Sequence, residues 1–126
     1  MEGIKTYFIT ADNLVRKLIA SLADNTFNQK MKNFRTPQLL IIDELGYLQF
    51  DQQASNFFFQ LICQRYEKGS IILTSNRSYG DWGEVFSEPV IASAILDRLL
   101  HHSITINIRG ESYRLREKKM FFEKSK

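Results

Sequence analysis

The chain has 126 residues, of which 44% are hydrophobic and 25% charged, proportions typical of one folded globular domain and unlike those of a disordered or fibrous chain. Its longest apolar runs fall far short of the roughly 20 residues that a membrane-spanning helix needs. A single cysteine, Cys63, excludes an internal disulfide, and the first residues lack a secretory signal pattern, so the sequence predicts a cytoplasmic protein without a membrane segment.

The net charge of +3 is concentrated at the C-terminal end. Residues 109–126 hold seven basic and three acidic side chains and so carry +4, which leaves −1 for residues 1–108. A short basic end is commonly a solvated segment, although positive charge also binds nucleic-acid phosphates without reading base sequence. The sequence therefore divides into a core, 1–108, and a basic tail, 109–126. The candidate nucleic-acid contacts in the tail are Arg114, Arg116, Lys118 and Lys119.

The first elements predicted along the chain are a strand and an amphipathic helix. Tyr7–Ile9 is a β-prone run, and Thr10 can cap the helix that follows. Apolar residues then recur at helical spacing. They are Ala11, Leu14, Val15, Leu18, Ile19 and Leu22. Residues 24–36 are polar and show no sustained period, so no element is predicted there.

Two later apolar runs, Leu39–Ile42 and Ile71–Leu73, show no alternation of polar and apolar residues. Uninterrupted apolar character is typical of strands covered on both faces, as in a parallel sheet. Between the two runs, Asp51 can cap a second helix that ends near Gly69. The residues that this helix would bury are Ala54, Phe57, Phe58, Leu61 and Ile62.

The last third of the chain is predicted to contain a loop, a helix and a strand. Residues 76–88 form the loop, Pro89 suits the first turn of the helix, and Ile104–Ile108 alternates as a strand. The inward residues of this helix would be Ala92, Ile95, Leu96, Leu99 and Leu100. Strands separated by helices in this order predict an α/β fold with a mostly parallel sheet.

Polar residues directly follow two of the buried runs. Asp43-Glu44 follows the first run, and Thr74-Ser75-Asn76 follows the second. Because ligands bind beyond the carboxyl ends of parallel strands, these tips are the candidate site. Four apolar residues followed by Asp-Glu form the Walker B pattern, in which the aspartate holds Mg²⁺ through water and the glutamate polarises an attacking water. Asn76 would hold that water or a phosphate oxygen, with Thr74 and Ser75 beside the nucleotide. The alternative is that both tips simply enter turns.

The segment Leu39–Leu48 resembles the Walker B segment of IstB-type transposition helper ATPases, which are similar to DnaC-type helicase loaders. Further blocks resemble the same family in its own order, so the resemblance covers nearly the whole chain. These blocks are Phe59–Ile62, Arg65–Ser70, Ile72–Asn76, Trp82–Phe86, Ala94–Ser103 and Ile108–Arg114.

This resemblance implies an AAA+ ATPase with a P-loop NTPase sheet, which binds ATP and Mg²⁺, assembles into an oligomer, and acts with DNA and a transposase. It also implies that Arg98 is an arginine finger for the γ-phosphate bound by a neighbouring subunit. Helical spacing places Arg98 away from the core, on the side of Asp97 and His101. The alternative for Arg98 is a solvated side chain paired weakly with a nearby acid.

The P-loop pattern G-x-x-x-x-G-K-[ST] is absent, because none of the six glycines precedes a lysine. Gly3–Ala11 resembles the second strand and second helix of the family, which places the first strand and the P-loop upstream of Met1. In the AAA+ strand order 5-1-4-3-2, this leaves Ile104–Ile108 without its usual neighbour. We therefore expect this chain alone to bind neither ATP nor Mg²⁺ and to be inactive. The competing hypothesis is a non-enzymatic remnant or interaction module that binds nucleic acid or protein through the basic tail.

Overall fold

The computed structural model describes residues 3–101 in full, and the backbone of residues 103–107 and 119–123. Five strands and five α-helices are present in these ranges. In chain order they are β1 (Thr6–Thr10), α1 (Ala11–Ala23), α2 (Phe27–Arg35), β2 (Leu39–Leu45), α3 (Gln52–Arg65), β3 (Ser70–Ser75), α4 (Trp82–Val85), α5 (Pro89–Leu100), β4 (Ser103–Asn107) and β5 (Lys119–Glu123). No helix of the described ranges is long and apolar enough to cross a membrane.

Three predicted helix starts are confirmed, two of them by a capping hydrogen bond. The Thr10 side chain accepts a hydrogen bond from the Asn13 amide at 3.2 Å, and Asp51 accepts one from the Ala54 amide at 2.8 Å. Pro89 lies in the first turn of α5. Helix α2 was not predicted, because its nine residues bury only Met31 and Phe34, too few to establish a helical period.

The sheet has the order β1-β2-β3-β5-β4. Strands β1, β2 and β3 are parallel, which confirms the predicted parallel α/β core, whereas β5 runs antiparallel to both of its neighbours. Strand β4, which was expected to be without its usual neighbour, pairs instead with β5. The predicted end of that strand, Ile108, lies outside the described residues. Strand β5 was not predicted, because its residues were assigned to the basic tail. Its Met-Phe-Phe centre favours a strand, and a strand here pairs with the backbone groups at the edge of β3.

The large helices lie on one face of the sheet. The connections from β1 to β2, β2 to β3 and β3 to β4 all advance in the same direction, and right-handed crossovers then place α1, α3 and α5 on the same side. Leu40 and Ile42 are fully buried there, whereas Leu39 and Ile41 on the opposite face are partly exposed. The prediction that this strand is covered on both faces is therefore wrong for the part of the chain described here.

A buried arginine organises the amino ends of the strands. Arg65 has no exposed surface, and its guanidinium donates hydrogen bonds to the backbone carbonyls of Phe34, Arg35, Pro37 and Ser70 at 2.8–3.1 Å. A Cβ at Gly69 would lie 2.5 Å from this guanidinium, so glycine is needed for the close approach. This contact joins the segments that lead into β2 and β3, and it leaves their carboxyl ends free to form a site.

Candidate functional site

The predicted polar tips of β2 and β3 meet at the carboxyl edge of the sheet. The Thr74 hydroxyl donates a hydrogen bond to Asp43 Oδ1 and accepts one from the Glu44 amide at 2.9 Å. Thr74 is only 8% exposed, so this hydroxyl is held in place by packing. One side chain of β3 thereby orients the carboxylate of Asp43 and the backbone of Glu44 together.

A β-bulge turns Glu44 out of the core. Ile42 pairs with Leu73 and Leu45 pairs with Ser75, so Asp43 and Glu44 together oppose the single residue Thr74. Glu44 has φ of 65°, a left-handed conformation that costs a residue with a side chain about 1–2 kcal/mol. Because of the extra residue, Leu45 takes the fully buried position and the Glu44 side chain is exposed. The arrangement presents a carboxylate at the edge where strand-end ligands bind.

Ser75 and Asn76 occupy the neighbouring tip in different ways. Ser75 is fully buried, and its hydroxyl donates to the Leu45 carbonyl at 2.7 Å and accepts from the Arg77 amide at 3.0 Å. This hydroxyl therefore holds the turn. The Oδ1 atom of Asn76 is buried and accepts no hydrogen bond from the residues that the structure describes. A buried acceptor of this kind has capacity for a donor such as a water or a ligand hydroxyl.

Arg77 was not singled out from the sequence, yet it contacts the same corner. Its Nε–H donates to the Gly46 carbonyl at 3.2 Å, and its Nη1 lies 3.3 Å from Glu84 Oε1 in α4. Gly46 has φ of 101°, and a Cβ there would lie 2.6 Å from Arg77 Cγ. The sequence signals were its position directly after Asn76 and the glycine shortly after Glu44, but neither identifies the other as a partner.

Oxygen donors dominate the strand-end cluster. Asp43 and Thr74 offer a carboxylate and a hydroxyl, which is the donor type that Mg²⁺ prefers. Within the described ranges no group of three or more His, Cys, Asp or Glu side chains could hold a metal ion by itself. A cation at Asp43 therefore fits the chemistry of these donors when water or other groups complete its ligands.

A cleft of about 300 Å³ borders this cluster on the β1 side. Its polar lining includes Thr10, Asp12, Asn13 and Glu44, and no lysine or arginine among the described residues lines it. Phosphate binding needs backbone N–H groups and positive charge, whereas this lining holds two carboxylates. The described residues of the cleft therefore do not supply the positive charge that a triphosphate requires.

Arg98 does not belong to this cluster within one chain. Its guanidinium lies 5.2 Å from the ring centroid of Phe59 in α3 and donates to the Ala94 carbonyl at 3.4 Å. One turn further, His101 lies 3.8 Å from Glu67 beside the turn that precedes β3. This end of α5 is thus at the amino edge of the sheet, opposite Asp43.

The predicted inward and outward faces of α5 need two corrections. Leu100, expected inward, is 38% exposed, whereas Arg98, expected to face away from the core, is partly buried against Phe59. The reason is that α5 packs beside α3, where the guanidinium of Arg98 lies over the aromatic ring of Phe59. Of the tail candidates, Arg114, Arg116 and Lys118 lie outside the described residues, and Lys119 begins β5.

Comparison with known proteins adds the following relatives. A family model described as IstB-like ATP binding protein matches residues 1–120. The ATP-binding protein of insertion sequence IS5376 from Geobacillus stearothermophilus is 52% identical over 99% of this chain and 50% of its own length. That of IS21 from Pseudomonas aeruginosa is 47% identical over 93% of this chain and 44% of its own length. The chain thus spans about half the length of these curated relatives.

The solved structures support the fold. AMPPCP-bound DnaA from Aquifex aeolicus superimposes with a TM-score of 0.63 at 23% identity, covering 74% of this chain and 29% of that chain. A similarity at this level of identity shows the fold alone, a parallel sheet with flanking helices.

Proposed function

Because the chain belongs to the IstB-like ATP-binding protein family, we propose that it carries the strand-end half of an ATP-hydrolysing site in a helper protein of DNA transposition. The observation that carries this proposal is the joint arrangement at the carboxyl edge. Thr74 fixes Asp43, and the bulge directs Glu44 into solvent beside it. A purely structural turn has no need to place a strained, exposed glutamate next to a carboxylate that is already held by a hydroxyl.

Each residue of the strand-end site has a different proposed role, which follows from its chemistry. Asp43, with the hydroxyl of Thr74, suits a bound Mg²⁺ through water, and the ion when bound neutralises phosphate charge. Glu44 is placed to accept a hydrogen bond from a water and polarise it, because its side chain is exposed directly beside Asp43. The buried Oδ1 of Asn76 would hold the same water from the β3 side.

We propose that the phosphate cradle lies in the half of the relatives that this chain does not match. In support, the described residues that line the cleft beside Glu44 include no basic side chain. Arg98 lies at the opposite edge of its own sheet, which favours action on a nucleotide bound by a second subunit of an oligomer. We propose DNA and a transposase as the partners, because the relatives are named for insertion sequences.

The test uses a chimera in which this chain replaces the matching half of the IS5376 protein. Glu44→Gln should leave ATP affinity within about threefold and lower kcat by at least 10²-fold, because the amide can occupy the same place but cannot polarise water. Glu67→Gln is the matched control, since Glu67 is also exposed and has positive φ but lies at the opposite edge of the sheet. Equal turnover by the two variants would remove Glu44 from the site.

A further inference from the structure

We propose that Arg77 is a positioning residue for the strand-end site, which holds the Gly46 turn against Asn76 and anchors both to α4 through Glu84. The effect on turnover rests on the proposed function, whereas the positioning itself is a property of this chain and can be measured on it directly.

Hydrogen bonds join the turn after β2 to the turn after β3. The Leu45 carbonyl accepts from the Ser75 hydroxyl at 2.7 Å and from the Asn76 amide at 3.4 Å. The Gly46 carbonyl accepts from Arg77 Nε at 3.2 Å. Among these contacts, the bond from Arg77 is the one that reaches Gly46, two residues beyond Glu44. Its loss would remove the hydrogen bond that holds the Gly46 carbonyl against the turn after β3.

The contact is close because residue 46 is glycine. A Cβ at this position would lie 2.6 Å from Arg77 Cγ and 2.8 Å from Asn76 Oδ1. The aliphatic part of the Arg77 side chain and the side-chain amide of Asn76 therefore pack directly against the Gly46 backbone. Interiors packed this closely transmit small displacements, so a shift of Arg77 would displace Gly46 and Asn76 together.

Helix α4 provides the fixed end of this arrangement. Arg77 Nη1 lies 3.3 Å from Glu84, and the fully buried Trp82 donates from Nε1 to the Arg77 carbonyl at 3.4 Å. At the other end of the loop after β2, the Phe50 amide donates to the Val85 carbonyl at 2.7 Å. The loop from residue 46 to residue 50 is thus connected to α4 at both ends, through Arg77 at residue 46 and directly at residue 50.

The ion pair between Arg77 and Glu84 contributes little to the free energy of folding. The side chains of Arg77 and Glu84 are 39% and 76% exposed, and ion pairs with such exposure contribute little to stability. A group that polarises water must, however, be held closely, since displacement by about 1 Å can cost 10²-fold in rate. Removing a residue that orients a catalytic group therefore lowers turnover more than it lowers the free energy of unfolding.

The first measurement uses the 126-residue chain itself. Arg77→Ala and Arg77→Lys should both shift the NMR resonances of the Gly46 backbone amide and the Asn76 side-chain amide. Lysine keeps a positive charge near Glu84 but lacks the planar fork that donates Nε–H to a carbonyl, so it should not restore the resonances. Arg35→Ala is the matched control, because it removes an arginine that bonds to Gln64 at the other edge of the sheet. Unchanged resonances in both Arg77 variants would overturn the proposal.

The second measurement uses the chimera with the IS5376 protein. Both Arg77 variants should lower kcat by about 10–100-fold and change KM for ATP by less than about threefold, whereas Arg35→Ala should change neither. Full turnover in the Arg77 variants of an active chimera would overturn the proposal. An inactive unsubstituted chimera would contradict the proposed function alone. The NMR resonances would then still decide whether Arg77 holds the Gly46 turn against Asn76.

Discussion

At the scale of single residues, Glu44 combines an unfavourable backbone with an exposed charge. Its φ of 65° is one of four positive φ values among the described residues other than glycine, and it coincides with the bulge opposite Thr74. Nearby contacts offset the cost of this backbone conformation, because the Glu44 amide donates to the Thr74 hydroxyl and Leu45 is fully buried. We infer that strain is retained here because it aims the carboxylate.

This strain predicts a separation of stability from activity. Glu44→Gly should raise the free energy of unfolding of the chain by about 1 kcal/mol, because glycine adopts the left-handed region without a steric cost. Glu44→Gln removes the charge and keeps the strain, so it should stay within about 0.5 kcal/mol of the unsubstituted chain. Urea denaturation followed by circular dichroism measures both variants. A Glu44→Gly chain that is less stable than the Glu44→Gln chain would show that the backbone at this position is not strained.

At the scale of elements, α5 separates two parts of the proposed site. Its first turn packs near α4, where Gly83 approaches Pro89, and its last turn brings His101 beside Glu67. Twelve helical residues extend for about 18 Å, so Arg98 in the last turn cannot approach Asp43 of its own sheet. The contact of its guanidinium with the Phe59 ring holds Arg98 at the amino edge.

The position of Arg98 predicts complementation between subunits of the chimera. Arg98→Ala should leave ATP affinity nearly intact and lower hydrolysis by about 10³-fold in the assembled protein, because the arginine stabilises charge that develops during transfer. Mixing Arg98→Ala with Glu44→Gln should restore part of the activity, since some interfaces then pair an intact Glu44 with an intact Arg98. Steady-state hydrolysis across mixing ratios measures this effect. Mixed oligomers that form without regaining activity would assign Arg98 a role within its own subunit or none.

At the scale of the whole molecule, the arrangement of layers is one-sided. In the described part of the chain, α1, α3 and α5 cover the sheet face that contains Leu40 and Leu73. On the other face Phe8, Ile41 and Ile72 lie in register across three strands, and Phe8 is 59% exposed. A row of apolar residues at the surface favours association.

This open face predicts concentration-dependent self-association of the isolated chain. Phe8→Lys should lower the average mass measured by sedimentation equilibrium, because the charge interrupts the apolar row at an edge strand. Val90→Lys is the matched control, since Val90 is 74% exposed but lies on α5 rather than on the sheet. An equal loss of mass in both variants would mean that net charge, rather than this face, controls association.

Much of the core was determined by the sequence itself. The helix starts at Thr10, Asp51 and Pro89 depend on local capping chemistry, which acts between residues close in the chain. The strands at Leu39–Leu45 and Ser70–Ser75 follow from their apolar runs, and the polar tips that follow them were predicted to meet. Local pattern and parallel topology were sufficient to place Asp43 beside Thr74, although the roles proposed for these residues remain predictions.

Only the tertiary structure decided which distant groups meet and in what conformation. The bulge at Glu44, the bond from Arg77 to Gly46 and the burial of Arg65 join residues about 30 positions apart in the chain, and no local period encodes such pairings. Strand β5 illustrates the same limit, because whether residues 119–123 are a tail or a strand depends on the edge that β3 presents. Hydrogen bonds and packing between distant segments form only when the chain is folded, so these contacts could not be predicted from the sequence alone.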